Sequence, residues 1–251
     1  LQNIKNDDEF VLPDARHEMP EMFEPRLKPV GDVVLNNDGL AGKLDYYFLP
    51  SQGAIKESDL VGKYYSTVKT SIDNLVTEKG YSYHADSGQG IRLSKTSGLT
   101  DFVDLMDGAN FSFFIQMRVV SLADADGRNS IISTRDDASL NQGIVLHCED
   151  SIISSGFRLY NDLTDGALNS TANVLVLGQW QTVGFSVING FARIFVDGKL
   201  NTSGSIGTGF NVGKDAKLFY KDLTTTSIDN NNVDIAWFCC SASYGFSEQE
   251  G

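Results

Sequence analysis

The string Phe157-Arg158-Leu159-Tyr160-Asn161 places an arginine, a tyrosine and an amide within reach of one another. Alternation along a strand puts Phe157 and Leu159 on one face and Arg158 and Tyr160 on the other. Side chains one period apart lie about 7 Å from each other, which lets both touch one sugar ring. An aromatic face meets the C–H face of a sugar, while guanidinium, amide and carboxylate groups meet its hydroxyls. Arg158, Tyr160 and Asn161 are therefore candidate ligand-binding residues, with Arg135, Asp136 and Asn141 expected on adjoining loops. The bland alternative is an ordinary exposed strand face. Oxygen-rich segments are the second kind of candidate chemistry. Asp124-Ala125-Asp126-Gly127, Asp136-Asp137 with Asn141, and Asp229-Asn230-Asn231-Asn232 offer the hard donors that calcium takes. None has EF-hand spacing, and Asp, Asn and Gly also build turns unaided. Calcium at Asp124 and Asp126 is the metal expectation; no cofactor is required.

Residues for catalysis are sparse. The histidines are His17, His84 and His147, and no Gly-x-Ser-x-Gly string accompanies them. Asp101, Asp104 and Asp107 recur every third residue, which reads as a solvated turn before Phe111 rather than paired strand carboxylates. The three cysteines, Cys148, Cys239 and Cys240, have neither zinc spacing nor a disulfide framework and read as reduced thiols packed as small apolar groups. The 20 basic and 33 acidic residues give a net charge of −13, which repels phosphate backbones and anionic lipids. Nucleic acid is thus excluded as a general partner. No apolar run approaches the roughly 20 residues that cross a bilayer, so membrane insertion is not expected, and the polar start shows no signal peptide.

The elements that must position these residues are mostly strands. Phe111, Phe113, Ile115, Met117 and Val119 alternate with polar partners, as do Ile144, Leu146 and Cys148, and Val183, Phe185 and Val187. Asn189-Gly190 and Asp197-Gly198 tolerate positive φ and predict tight hairpins on either side of Phe191–Val196. Further β runs lie near Ile91–Leu93, Ser130–Thr134, Leu218–Tyr220 and Val233–Ser241. Leu60, Tyr64, Val68 and Ile72 recur every fourth residue, which predicts a helix over 60–76, with two short strands as the alternative. Pro13, Pro20, Pro25 and Pro29 mark an extended arm over residues 1–38, whose apolar residues fit packing on its own domain or on neighbouring subunits. The tyrosines Tyr46, Tyr47, Tyr64, Tyr65, Tyr81 and Tyr83 are expected to fill the seam between arm and sandwich.

The order of these strings resembles a known family. Phe111–Val119, Ser130–Arg135, Gly143–His147 and Gly156–Tyr160 are followed by GQWQTVGFSVINGFARIFVDGKL over Gly178–Leu200 and VDIAWFCCSASYGFSEQE over Val233–Glu250. This is similar to the concanavalin A-like lectin/glucanase superfamily, particularly its laminin G-like branch. Trp180, Val196, Asp197, Gly198, Lys199, Ser247 and Glu250 stand where that pattern has them, and the resemblance covers residues 80–250. It implies an all-β, two-sheet antiparallel jelly-roll sandwich over 39–251, with at most one or two short helices. It also implies that Trp180 packs in the core; Trp237, in step with Val233, Ile235 and Cys239, is expected there too. The family's hydrolase string Glu-x-Asp-x-x-Glu and its lyase Gln-x-His signature are absent. The resulting expectation is a non-catalytic, extracellular module that binds a glycan or surface receptor in cell adhesion. The rival is a structural module of a phage tail or virion whose arm packs on other subunits.

Overall fold

A computed structural model describes residues 46–48, 56–58, 64–68, 73–85, 90–95, 109–122, 128–134, 143–150, 155–210, 217–219, 231–241 and 245. The expected arm over 1–38 lies outside them. Among the described residues all regular structure is β. The strands are β1 (Tyr46–Phe48), β2 (Lys56–Ser58), β3 (Tyr64–Val68), β4 (Asp73–Thr77), β5 (Gly80–Ala85), β6 (Ile91–Lys95), β7 (Asn110–Leu122) and β8 (Arg128–Ser133). They continue with β9 (Ile144–Asp150), β10 (Ser155–Asn161), β11 (Gly166–Asn169), β12 (Trp180–Ile188), β13 (Phe191–Val196), β14 (Lys199–Ser205), β15 (Lys217–Leu218) and β16 (Asn231–Ser241). One sheet runs β14-β13-β12-β7-β16-β5-β4, with β1 also on β16, and the other runs β11-β10-β9-β8-β15-β6-β3-β2. Every pairing is antiparallel. No described helix is long and apolar enough to cross a membrane.

The two sheets share one apolar core. Phe111, Phe113, Ile115, Met117 and Val119 of β7 meet Val183, Phe185 and Val187 of β12, and both face Ile144, Leu146, Cys148, Phe157 and Leu159 of the second sheet. Aromatic rings carry much of this packing. Phe111 lies edge-on to Phe210 at 4.9 Å between centroids, and Phe113 sits 6.1 Å from Phe185 and 6.2 Å from Phe238, which adds to the area they bury. The hairpins form as their residues predict. Asn189 and Gly190 have φ of 48° and 76°, Asp197 and Gly198 51° and 73°, the twist that two-residue turns need.

Two expectations are overturned by strand geometry. The helix over 60–76 is instead β3 and β4. A spacing of four is also two strand periods, and the β-branched and aromatic residues of Tyr64–Val68 favour the pleated form. Trp237 is half-buried on the outer face rather than in the core. The register of β16 on β7 shifts between Ile235, opposite Met117, and Trp237, opposite Gln116. Ala236 is the extra residue, and this bulge reverses the phase beyond it. Phe238 and Cys240 therefore enter the core, and Cys239 faces the other way. All three cysteines are free thiols, and burial pushes that of Cys239 up to about 12.

Gly184 marks the tightest approach in the first sheet. A Cβ there would run into the Phe113 carbonyl and the Phe114 ring. Gly184→Ala is expected to cost roughly 1–3 kcal/mol through overpacking. The readout is a lower urea midpoint at unchanged slope; an unchanged midpoint would refute the β7–β12 register.

Candidate functional site

The inward phase of Phe157 and Leu159, and of Leu146 and Cys148, leaves the opposite face of β9 and β10 to polar side chains. Register then aligns Asn169, Arg158, His147 and Ser130 across β11, β10, β9 and β8. Glu149 stands two residues along β9 from His147, on the same outer face, and opposite Gly156. Beside this row lies a pocket of about 210 Å³, bordered by Glu149, Gly156, Arg158, Asn169, Ser170 and Thr171. Gly156 lets the chain close over it, since a Cβ there would meet Ser170 Oγ and the Thr171 carbonyl. The wall is fastened from both sides. Asn201 of β14 accepts from the Thr171 backbone N–H at 2.8 Å and donates to Thr171 Oγ1 at 2.9 Å. The buried Gln181 amide accepts from the Val176 N–H at 2.8 Å and donates to the Val174 carbonyl at 2.7 Å.

Arg158 and Tyr160 share the outer face, as expected from their phase, and are both half-buried. The guanidinium carbon lies 5.5 Å from the Tyr160 ring centroid, a cation–π contact. The tyrosine hydroxyl donates to Asp165 Oδ1 at 2.7 Å, which fixes the ring. Tyr160 thus stands outside the pocket's border and supports the arginine that forms it. Arg158 Nη1 is 3.7 Å from Glu149 Oε1, too far for a hydrogen bond. Its Nε is shielded from water and has no hydrogen-bond partner.

Asn161 corrects the sequence expectation. Instead of reaching a ligand, it is fully buried. Its Nδ2 donates to the Ile206 carbonyl at 3.1 Å, and its Oδ1 accepts from the Leu163 N–H at 3.1 Å. At the end of β10 it has the same inward phase as Phe157 and Leu159, so its amide serves the turn into β11. Arg135, Asp136, Asn141, Asp124 and Asp126 lie outside the described residues, as do His17, Asp101, Asp104 and Asp107. Among the described residues no group of three His, Cys, Asp or Glu side chains could hold a metal ion. Glu149, Asn169, Ser170 and Thr171 are the pocket residues that sequence reading missed. Glu149 was accessible in principle, from its phase on β9. The others depend on β11, a short strand that lacks alternation strong enough to find.

A second polar row crosses the outer face of the other sheet. Trp180 pairs with Arg118, Arg118 with Asp234, and Asp234 with His84. Asp234, 2% exposed, accepts from Arg118 Nε at 2.7 Å and from His84 Nδ1 at 2.7 Å. Arg118 also lies 5.1 Å over the Trp180 ring and 3.5 Å from Glu78. Glu78 is held below the ordinary carboxylate value, first by a backbone hydrogen bond. Trp180 is therefore half-buried on this outer face and not in the core. It is out of step with Val183, Phe185 and Val187, and the strand phase prevails over the family pattern. The Asp234 carboxylate is spent on Arg118 and His84, and among the described residues no serine or cysteine side chain is shown donating to His84.

No protein-family model matches the chain, and no curated protein matches it. Solved structures do. Domain 4 of a GH43 extracellular arabinanase from Geobacillus stearothermophilus, in complex with arabinotriose, aligns at TM-score 0.62 and 16% identity over 83% of this chain and 96% of that one. The binding domain of botulinum neurotoxin serotype D aligns at 0.60 and 14% over 84% of this chain and 50% of that one. A mutant Trypanosoma rangeli sialidase displaying trans-sialidase activity aligns at 0.61 and 10% over 84% of this chain and 32% of that one. The chain thus spans half of the neurotoxin domain and about a third of the sialidase. At these identities the likeness shows a shared β-sandwich fold.

The two neighbouring residues on β10 should separate cleanly. Asn161→Ala removes a buried, fully used amide and is expected to cost about 2–4 kcal/mol. Tyr160→Ala removes a half-exposed ring and should cost no more than about 1 kcal/mol. Thermal unfolding of both variants measures the contrast; equal losses would refute the assigned faces.

Proposed function

We propose that this chain is a non-catalytic carbohydrate-recognition module that binds a glycan of a cell surface or extracellular polymer at the Arg158 pocket. One observation carries the reading. The Arg158 guanidinium is half-buried at a pocket and braced by an aromatic ring, and its shielded Nε has no hydrogen-bond partner among the described residues. A guanidinium held in that state is costly unless a ligand or water completes it. The pocket's other polar groups are an amide, two hydroxyls and a carboxylate, which match sugar hydroxyls.

Three further points support the reading. The neighbours include a domain solved with arabinotriose and a toxin's binding domain. The string Gly178–Leu200 resembles the laminin G-like branch of the concanavalin A-like superfamily. Glycoside hydrolysis generally needs two carboxylates flanking the bond, and Glu149 is the one carboxylate among the described residues that border the pocket.

A glycan array probed with the whole chain tests this. Binding is expected to a discrete set of sugars, with Arg158→Ala lowering affinity about tenfold or more and leaving the thermal midpoint nearly unchanged. Silence across the array, together with oligomers that depend on residues 1–38, would replace it with the assembly-module reading.

A further inference from the structure

Arg158 has a long, flexible stem, and its confinement at the pocket needs a cause. Two described groups stand against it: Glu149, at 3.7 Å, and the Tyr160 ring, 5.5 Å from the guanidinium carbon. The ion pair attracts without the direction of a hydrogen bond. The ring is a flat wall, and that wall is itself tied, because the Tyr160 hydroxyl donates to Asp165 Oδ1 at 2.7 Å. Neither Tyr160 nor Asp165 borders the pocket, so what they contribute to binding passes through the arginine.

Asp165 is held in place independently of this contact. It lies in the turn between β10 and β11 in the left-handed region, at φ 55°, which Asp tolerates. The turn is built on the Ile206 carbonyl, which accepts from Thr164 Oγ1 at 2.7 Å and from Asn161 Nδ2 at 3.1 Å. The Leu163 N–H donates to Asn161 Oδ1, and a Cβ on Gly166 would run into the Ile206 backbone. With these contacts in place the turn does not need the exposed Tyr160–Asp165 bond in order to close. The bond acts on the ring instead. It pins it, and a phenol that donates to a carboxylate presents a more negative face to a cation.

We infer that Asp165 and Tyr160 are positioning residues: the Asp165 carboxylate holds the Tyr160 ring by its hydroxyl, and the ring holds the Arg158 guanidinium at the pocket. The value of that hold for sugar binding rests on the carbohydrate reading above. A cation already confined gives up less rotamer freedom when a ligand arrives. The latch thus raises affinity without touching the ligand.

Two measurements on the whole chain test the latch. The first needs no ligand: nuclear magnetic resonance follows exchange of the Arg158 Nε–H with water. Tyr160→Phe keeps the ring and removes its tie. Asp165→Gly removes the acceptor and supplies a residue suited to positive φ. Both are expected to quicken that exchange about threefold or more, with thermal midpoints nearly unchanged. Asp165→Asn, whose amide oxygen still accepts, should recover most of the protection. The second measurement titrates the parent chain and the three variants on the glycan array. Sugars bound by the parent chain should bind Tyr160→Phe and Asp165→Gly about two- to fivefold more weakly. Unchanged exchange in both variants would overturn the latch, and a large fall in both thermal midpoints would assign the bond to the fold instead. Quicker exchange with unchanged affinity would overturn its part in binding. Silence of the parent chain across the array would overturn carbohydrate recognition, and the exchange rates would still decide whether the latch holds the arginine.

Discussion

The burial of one face of β7 is the constraint on which the remaining architecture depends. Phe111, Phe113, Ile115, Met117 and Val119 are essentially inaccessible to water, and a slip of one residue would exchange this apolar set for Ser112, Gln116 and Arg118. Each large apolar side chain contributes about 1.5–3 kcal/mol when buried, so such a slip is prohibitive. The phase of β7 then dictates that of β12 and β16 through hydrogen-bonded register. Across the core it also dictates which faces of β9 and β10 must be apolar. Arg158 and Glu149 point outward because Phe157, Leu159, Leu146 and Cys148 cannot.

The same constraint explains the charged row on the opposite sheet. The outer positions of β7, β16 and β5 come to one line at Arg118, Asp234 and His84, and Asp234 is nearly sealed from water. A sealed carboxylate is tolerable when paired and hydrogen-bonded, and its two partners, Arg118 and His84, arrive on the strands flanking β16 at the right register. The Ala236 bulge follows from competing demands along β16. Near Val233 the strand must match β5 and β7 with Asp234 outward. Farther on it must give Phe238 and Cys240 to the core. One inserted residue reconciles the two.

Much of the fold was legible in the sequence because period-two alternation is a direct imprint of a half-buried sheet. The strands β7, β9, β10, β12 and β13 and both Gly hairpins could be read that way. The outward phase of Arg158 and Tyr160 came with them. The failures have definite causes. A bulge is invisible to alternation, so Trp237 and Cys239 were assigned to the wrong face. A spacing of four belongs to both helix and strand, so Tyr64–Val68 was ambiguous. Trp180 was assigned from a family pattern although its own strand phase pointed outward. Asn161 was read as a strand-end ligand because the turn that needs its amide, built from Leu163 and Ile206, is non-local. Asn169, Ser170 and Thr171 reach the pocket through a clamp from Asn201, thirty residues on in sequence and contributed by the other sheet.

That clamp bears on how such a site would work. Its border is made of strand residues and of a segment fastened at Thr171, Val174 and Val176, so little ordering remains to be done when a ligand arrives. Preorganisation does not remove the limit set by size. A sugar ring of about a dozen non-hydrogen atoms, at about 0.3 kcal/mol per atom, gains roughly 4 kcal/mol, a dissociation constant near 1 mM. A single pocket of this kind is selective before it is tight. Strong attachment to a glycan-bearing surface would come from presenting several copies together, where linkage raises avidity by about 10²–10⁴ without any new contact. On the carbohydrate reading proposed above, the pocket on β9–β11 would supply the choice of sugar and the multiplicity of copies the grip.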